Sequence, residues 1–171
     1  ISNILNIYEA DSYNTPGDID ASGLDYSSVS QYVYLTTFNN GVGEDIFVLD
    51  VRTGGAPTPS WANPELKGFY DTSADATDAS AVFVSGGYAY LVIDAGGDKQ
   101  FHVVHISNPA SPVVEGRTGL SGDASDIYVL GNYAFVAATD NAKELVVVDV
   151  TTKSSPNKVL EKDVGDQSDG L

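Results

Sequence analysis

The stretch that decides the fold is Asp123-Ala-Ser-Asp-Ile-Tyr-Val-Leu-Gly-Asn-Tyr-Ala-Phe135, followed by Leu145-Val-Val-Val-Asp149. Gly131-Asn132 is a two-residue turn signal of the kind that closes a β-hairpin, because both residues tolerate positive φ. It predicts strands at Ile127–Leu130 and Tyr133–Ala138, in which alternate side chains share one face. The stretch therefore predicts an antiparallel hairpin.

Two further strands are expected after this hairpin. The valine run within Glu144–Val150 is typical of a strand that is buried on both faces. After a connection that contains Pro156, a fourth strand is predicted at Asn157–Glu161. The whole segment is therefore predicted to be a four-stranded antiparallel unit.

The same pattern occurs twice more along the chain. Asp78-Ala-Ser-Ala-Val-Phe-Val-Ser-Gly-Gly-Tyr-Ala-Tyr90 is followed by Phe101–His105, and Asp25-Tyr-Ser-Ser-Val-Ser-Gln-Tyr-Val-Tyr34 is followed by Ile46–Asp50. Aligned in this way, two positions coincide in all units: Tyr32, Tyr88 and Tyr133, and Asp50, His105 and Asp149. Four strands per repeat of about 40–50 residues are typical of β-propeller blades.

We therefore expect an all-β fold, a β-propeller arc of about three four-stranded antiparallel blades with partial blades at both ends. The units of this single propeller region are placed at 18–72, 73–120 and 121–164, with stubs at 1–17 and 165–171. Closed propellers have at least about four blades. We expect the arc to belong to a larger propeller, to a ring closed by self-association, or to an unclosed stack in a polymer.

Composition excludes several classes of protein. Lys and Arg number 8 against 24 Asp and Glu, which gives a formal net charge of −16. This balance argues against nucleic-acid binding and against anionic membranes, since both need a cationic surface. No apolar run approaches the roughly 18 residues of a membrane span, so membrane insertion is not expected. The absence of Cys excludes a disulfide scaffold and thiol catalysis.

Two segments resemble a known repeat family. Leu145-Val-Val-Val-Asp149 and His102-Val-Val-His-Ile-Ser-Asn-Pro-Ala-Ser-Pro-Val-Val114 each follow a Gly-x-Tyr-Ala-aromatic sequence. They resemble the LVIVD repeat of bacterial and archaeal surface or secreted proteins, although His105 stands where the motif has Asp. The resemblance implies a β-propeller and a location outside the cell or at its surface. It implies no catalytic residue, because the motif marks blades.

A calcium loop is the most specific candidate site. Asp18-Ile-Asp-Ala-Ser-Gly23 matches the opening of a D-x-D-x-[DNS]-G loop, in which alternate oxygens converge on a hard cation. Val29 occupies the twelfth position, so an EF-hand is excluded. The predicted calcium ligands are Asp18, Asp20, Ser22 and Asp25. The alternative is a turn rich in Asp that leads into a blade.

Two sets of residues are candidates for interaction. Asp78, Asp123 and Asp166 recur at one place in each unit, and we hypothesise that they form an acidic annulus that binds a cation or a basic partner. The alternative is that each carboxylate bonds the amides of its own turn. Trp61 lies in the insertion Arg52–Asn63. It is expected either to contact a sugar or protein ligand or to cap its blade.

The sequence favours a non-enzymatic extracellular module for binding or adhesion, with a protein or glycan ligand. One alternative is a structural subunit of an extracellular assembly. Another is a carboxylate-based hydrolase that acts on a glycan. His102 and His105 are three residues apart, which places them on opposite faces of a strand and argues against a shared metal. No G-x-S-x-G sequence marks a nucleophilic serine.

Overall fold

The computed structural model describes residues 20–38, 44–51, 65–72, 78–94, 99–139 and 143–165. These residues form strands joined by turns, and no helix occurs among them. The strands are β1 (Asp20–Ser27), β2 (Tyr32–Phe38), β3 (Ile46–Asp50), β4 (Glu65–Tyr70), β5 (Asp78–Ser85), β6 (Tyr88–Asp94), β7 (Phe101–His105), β8 (Val113–Thr118), β9 (Ala124–Leu130), β10 (Tyr133–Ala138), β11 (Leu145–Asp149) and β12 (Asn157–Lys162).

The strands form three four-stranded sheets, each ordered as in the chain. We call them blade 1 (β1–β4), blade 2 (β5–β8) and blade 3 (β9–β12). All neighbouring strands within a blade are antiparallel. The first two strands of one blade pack on the first strand of the next, so β1 and β2 contact β5, and β5 and β6 contact β9. The prediction of an all-β, propeller-like arc of blades is confirmed, and the arc is not closed.

The predicted hairpin of blade 3 is present with one difference in its bounds. β10 has the predicted bounds, whereas β9 begins at Ala124 and not at Ile127. A bulge at Ser125 lets the pairing continue, because Ala138 pairs with Ala124 while Ala137 pairs with Asp126. The hairpin turn uses the positive φ of Gly131, which is 61°.

The alignment of the repeats is confirmed at two positions. In each blade the first residue of the second strand pairs with the last residue of the third strand: Tyr32 with Asp50, Tyr88 with His105, and Tyr133 with Asp149. These equivalent pairs show that the valine-rich strands occupy the same place in consecutive sheets.

Asp25 is not the counterpart of Asp78 and Asp123, although each of these residues begins one of the three compared segments. Asp25 pairs with Tyr34, at the place where Phe83 pairs with Tyr90. The counterpart of Asp78 is Asp20, since these residues pair with the last residues of β2 and β6. The cause is the turn between β1 and β2, which spans 28–31 in blade 1 but only two residues in the other blades.

With this correction, one short motif begins the first strand of every blade. Asp20-Ala-Ser22, Asp78-Ala-Ser80 and Asp123-Ala-Ser125 occupy equivalent places. In all three the serine is the bulged residue, because the pairing shifts between its two neighbours. The motif therefore bends the first strand at the same point in each blade.

The hydrophobic core lies between the blades. One cluster joins blades 2 and 3 through Val103 and Val148, and a second joins blades 1 and 2 through Val48 and Val104. These valines are fully buried, as expected for strands covered on both faces. Burial of apolar side chains between the blades therefore helps to hold consecutive blades together.

Candidate functional site

A cavity of about 490 Å³ lies between blades 1 and 2, at the end where the hairpin turns lie. Tyr26, Tyr32 and Tyr34 contribute aromatic rings, and Ser30 and Ser107 are among the serines that contribute hydroxyls. Among the described residues that line it, none carries a charge. We call this cavity the inter-blade pocket.

At the place that borders the inter-blade pocket, blade 2 lacks a lysine that blade 3 has. At the boundary between blades 2 and 3, the ammonium of Lys153 lies 5.7 Å from the ring centroid of Tyr88 and 5.6 Å from that of Tyr90. The equivalent residue of blade 2 is Pro109, which lines the pocket. Because proline has no long side chain, this connection places no lysine over the tyrosines of blade 1.

A second difference enlarges the same space. Phe83 contacts Tyr128 edge to face, with ring centroids 5.0 Å apart, across the boundary between blades 2 and 3. Blade 1 has Asp25 in the place of Phe83. Its carboxylate accepts hydrogen bonds from the amides of Tyr26 at 2.7 Å and Val84 at 2.6 Å. Asp25 therefore links blades 1 and 2 but fills less volume than an aromatic ring.

The longer turn of blade 1 forms one wall of the pocket. The amide of Gln31 donates to the carbonyl of Ser27 at 2.7 Å, and the amide of Ser30 donates to the hydroxyl of Ser27 at 3.2 Å. Ser30 Oγ lies 3.5 Å from the hydroxyl of Tyr34. Burial raises the pKa of Tyr34 above its ordinary value, so the hydroxyl stays protonated at physiological pH.

Blade 2 contributes a polar rim. Ser107 Oγ lies 3.0 Å from His105 Nε2, and both residues are exposed. The amide of Ile106 donates to the carbonyl of Gly87 at 3.0 Å, which fixes the rim against the β5–β6 turn. The pocket thus combines aromatic faces with hydroxyls that can donate and accept hydrogen bonds, an arrangement suited to a neutral ligand with many hydroxyl groups.

Buried charges lie at the opposite end of the strands. Two hydrogen bonds of 2.5 Å join the amide and hydroxyl of Thr72 to the carboxylate of Asp45. Burial raises the pKa of Asp45 to about 6, against the lowering effect of these bonds. This carboxylate holds the end of β4 to the start of β3, and it lies away from the inter-blade pocket.

A polar contact also joins blades 1 and 2 at that end. The guanidinium of Arg117 donates to the hydroxyl of Tyr70 at 3.0 Å, and this hydroxyl lies 3.4 Å from Nδ1 of His102. Burial, with the nearby charge of Arg117, lowers the pKa of His102 to about 4, so its ring is neutral at physiological pH. His102 is buried whereas His105 is exposed.

The four predicted calcium ligands are placed as follows. Asp18 lies outside the described residues. Asp20 is exposed at the start of β1, and the hydroxyl of Ser22 donates to the carbonyl of Ala79 at 2.5 Å. Among the residues that the structure describes, no three His, Asp or Glu side chains are grouped to hold a metal ion. The calcium site therefore stays a prediction, with Ser22 and Asp25 engaged in contacts between blades.

The predicted interaction residues are only partly described. Asp78 is half-buried at the start of β5, and Asp123 is exposed just before β9. The carbonyl of Asp123 accepts a hydrogen bond of 2.8 Å from the amide of Thr139. Trp61 and Asp166 lie outside the described residues, so the acidic annulus and the role of Trp61 stay predictions.

Sequence reasoning missed the inter-blade pocket. Tyr32 was recognised as a repeat position but not as a lining residue. The available signal was the departure of blade 1 from the other repeats, with Asp25 in place of an aromatic residue and a longer turn. Where the sequence of one blade departs from the repeat, its packing against the next blade differs from the packing at the other boundary.

Comparison with known proteins agrees with the structure. The family model of the LVIVD repeat matches residues 76–118 and 121–163, which contain blades 2 and 3. No curated protein matches the chain significantly. Within the described part of the chain, nothing forms a helix that could span a membrane. The two consecutive matches and the repeated four-stranded sheets show that the chain belongs to the LVIVD repeat family.

Proposed function

We propose that the protein is a non-enzymatic extracellular binding module that holds a neutral, polyhydroxylated ligand, such as part of a glycan, in the inter-blade pocket. The observation that carries this proposal is that the described residues lining the pocket, mostly tyrosines and serines, are uncharged in a chain whose net charge is −16. A cavity of this size with such a lining favours a neutral ligand.

The dimensions and chemistry of the pocket support this ligand class. Its volume of about 490 Å³ lies in the range of roughly 300–1,000 Å³ that is usual for small-molecule sites. Tyrosine rings offer apolar faces to the C–H groups of a sugar, while their hydroxyls and those of Ser30 and Ser107 can hydrogen-bond its hydroxyls. Hydrolysis of a glycan would instead need two carboxylates that flank the bond.

The location outside the cell is supported by family membership. The LVIVD repeat is generally found in surface or secreted proteins, and blades 2 and 3 match it. A binding module on a cell surface needs a rigid frame with a variable site, and blade 1 differs from the other two blades at the pocket. This combination favours a role in attachment to a ligand outside the cell.

Substitution of Pro109 by lysine tests the proposal, because it gives the pocket a side chain equivalent to that of Lys153 in blade 3. Pro109→Lys places a long side chain where Lys153 lies in blade 3, and it should reduce affinity for neutral oligosaccharides at least about tenfold. Binding is measured by calorimetry, after a panel of neutral glycans has identified a ligand. Ser111→Lys is the matched control, since it adds the same charge at an exposed position of the same connection.

Two results would contradict the proposal. One is a Pro109→Lys protein that binds the identified glycan as tightly as the wild type. The other is a wild-type protein that binds no neutral glycan of the panel.

Hydrolysis is a second candidate, favoured by the 3.0 Å contact between Ser107 and His105 at the pocket rim. A serine beside an imidazole is the nucleophile and base of many hydrolases. Turnover of ester substrates by the wild type, abolished in Ser107→Ala, would favour this candidate over binding alone. If Ser107→Ala retained the turnover, this pair would not be its source.

A further inference from the structure

We propose that the inter-blade pocket also binds the side chain of a lysine from a partner protein, with the ammonium beside the rings of Tyr32 and Tyr34. Such a ligand is distinct from the glycan of the proposed function, and its binding does not require that a glycan binds. The same contact is already made within the chain at the boundary between blades 2 and 3, by Lys153.

The two boundaries present the same pair of tyrosines. Tyr32 and Tyr34 are the first and third residues of β2, and Tyr88 and Tyr90 are the first and third residues of β6. Alternate residues of a strand share one face. Each pair packs on the hydrophobic cluster that joins its blade to the following one. The aromatic surface that Lys153 covers at one boundary is therefore repeated at the other.

The connection that faces each tyrosine pair is also in the same place. A Cβ added to Gly68 would overlap the carbonyl of Pro109, and a Cβ added to Gly116 would overlap the carbonyl of Lys153. Each connection thus approaches the outer strand of the preceding blade at an equivalent point. Pro109 therefore occupies at the pocket the place that Lys153 has at the other boundary.

Lys153 shows which groups hold an ammonium at this place. Its Nζ lies 5.7 Å from the ring centroid of Tyr88 and 5.6 Å from that of Tyr90. The faces of aromatic rings attract a cation at such distances. The ammonium also donates a hydrogen bond of 2.6 Å to the carbonyl of Val150. Two rings and one carbonyl therefore form the ammonium site of this boundary.

The pocket has the counterpart of this carbonyl. The amide of Val150 donates to the carbonyl of Asn132 at 2.8 Å, and the amide of Ile106 donates to the carbonyl of Gly87 at 3.0 Å. Val150 and Ile106 therefore occupy equivalent places, each directly after the third strand of its blade. The carbonyl of Ile106 lies where an ammonium in the pocket would donate.

The pocket has room for a side chain from outside. Ile106 and Pro109 line the cavity of about 490 Å³ together with the tyrosine pair. Ser28 and Val29 also line it, and both are exposed, so the cavity reaches the surface. Because Pro109 does not extend over the tyrosines as Lys153 does, a lysine side chain of a partner can take this place.

The negative charge near the ammonium comes from a different residue at each boundary. Hydrogen bonds from Thr151, and then the charge of Lys153, lower the pKa of Asp149. Blade 2 has His105 at the place of Asp149. At the pocket, the carboxylate of Asp25 accepts the amides of two lining residues. This carboxylate and the net charge of −16 favour a cation over an anion.

A lysine side chain fits the pocket better than a compact cation. The four-carbon stem of lysine packs along apolar surface while its ammonium makes polar contacts, as Lys153 does at the other boundary. A basic partner would also be steered toward this acidic chain. The occupant that we infer is therefore an exposed lysine of a basic protein.

The first experiment uses n-butylammonium, which reproduces the lysine side chain. Its addition should shift the ring-proton resonances of Tyr32 and Tyr34 in a saturable way, and it should leave those of Tyr88 and Tyr90 unchanged. The neutral control is 1-butanol, which has the same length and should bind at least about fivefold more weakly, because it lacks the charge that the rings attract.

Variants move the ammonium site between the two boundaries. Pro109→Lys should abolish the shifts of the blade 1 tyrosines, because the new side chain occupies the site from within the chain. Ser111→Lys, at an exposed position of the same connection, should leave the shifts unchanged. Lys153→Ala should create a second site, so that n-butylammonium also shifts Tyr88 and Tyr90. This gain of a site does not arise from unfolding.

A further titration distinguishes a lysine from an amino sugar. A short peptide with one lysine should shift the blade 1 tyrosines, and the same peptide with that lysine acetylated should bind at least about tenfold more weakly, since acetylation removes the charge. Glucosamine should bind more weakly than the unmodified peptide. Tighter binding of glucosamine would place an amino sugar in the pocket and overturn the assignment to a partner protein.

Other results would also overturn the inference. One is the absence of shifts at Tyr32 and Tyr34 with n-butylammonium, and another is equal binding of 1-butanol. A third is a Pro109→Lys protein that still binds n-butylammonium at these tyrosines. The panel of neutral glycans tests the proposed function separately: a glycan that binds where n-butylammonium does not would contradict only the lysine site, and the reverse would contradict only the glycan site.

Discussion

The hydroxyl of Ser80 donates a 2.5 Å hydrogen bond to the carbonyl oxygen of Ala124, across the boundary between blades 2 and 3. Ser22 makes the same bond with Ala79 across the preceding boundary, also at 2.5 Å. Each serine is the bulged residue of an Asp-Ala-Ser sequence on a first strand. The Asp-Ala-Ser motif therefore bends the first strand and also supplies a hydrogen bond to the next blade.

Ser80→Ala should lower the free energy of unfolding by about 1–2 kcal/mol, because it leaves the buried carbonyl of Ala124 without this donor. Urea denaturation followed by circular dichroism measures the change. Ser125→Ala removes the equivalent hydroxyl where it is exposed, and it should change stability by less than about 0.5 kcal/mol. Equal effects of the two variants would show that the bond between blades contributes nothing.

Gly116→Ala should destabilise the protein by about 1–3 kcal/mol, since the added methyl overlaps the carbonyl of Lys153 in the next blade. The same denaturation experiment applies. Leu160 stands at the equivalent place in blade 3 and is 48% exposed, so Leu160→Ala should be tolerated. A neutral Gly116→Ala would mean that blades 2 and 3 are not packed as closely as described.

Lys153→Ala should uncover a second cavity, between blades 2 and 3. The lysine lies over the rings of Tyr88 and Tyr90, and its ammonium also donates to the carbonyl of Val150 at 2.6 Å. We expect a loss of about 1 kcal/mol in stability and faster nitration of both tyrosines, measured by mass spectrometry. Lys67→Ala, which removes an ion pair with Glu65, is the control and should leave nitration of Tyr88 and Tyr90 unchanged.

Asp45→Asn should change how stability depends on pH. Burial raises the pKa of Asp45 from 3.8 to about 6 in the folded protein, so the unfolded chain loses this proton first. The contribution of protonated Asp45 to the free energy of unfolding is therefore fully present below about pH 4. It is lost as the pH rises through about 6. The asparagine variant should be more stable than the wild type above this window, as urea denaturation at a series of pH values would show.

The titration of His102 changes the stability of the protein with pH in the opposite direction, over the same pH range as Asp45. Its pKa is lowered from 6.5 to about 4, so its contribution is present above about pH 6.5 and is lost as pH falls through about 4. The two groups therefore partly cancel in the wild type, and Asp45→Asn should expose the rise with pH that His102 causes. Asp71→Asn, at an exposed neighbour, should change the profile much less; an unchanged Asp45→Asn profile would contradict the assignment.

Much of the fold could be predicted from local sequence. Gly131-Asn132 fixed the hairpin of blade 3, and the valine run of β11 indicated burial on both faces, because turn chemistry and periodicity act over a few residues. The bulge at Ser125 could not be predicted, since it depends on a partner strand. The sequence pattern did not identify Asp20 as the counterpart of Asp78, because the longer turn of blade 1 shifts the equivalence along β1 without changing the strand pattern.

The candidate site was harder to predict, because it lies between repeats. The sequence did not predict that the carboxylate of Asp25 accepts a hydrogen bond from the amide of Val84, a residue of the next blade. The sequence shows that blade 2 has Pro109 where blade 3 has Lys153. Which tyrosines these two residues lie beside depends on how consecutive blades pack. Such contacts follow from the arrangement of the sheets.

The most direct test of the account is a nuclear Overhauser measurement between the rings of Phe83 and Tyr128, which belong to consecutive blades with centroids 5.0 Å apart. Blades packed face to face predict cross-peaks between these ring protons, and none after Tyr128→Ala. Absence of the cross-peaks in the wild type, together with amide contacts that pair β8 with β9, would place the strands in one continuous sheet and contradict the arrangement of blades.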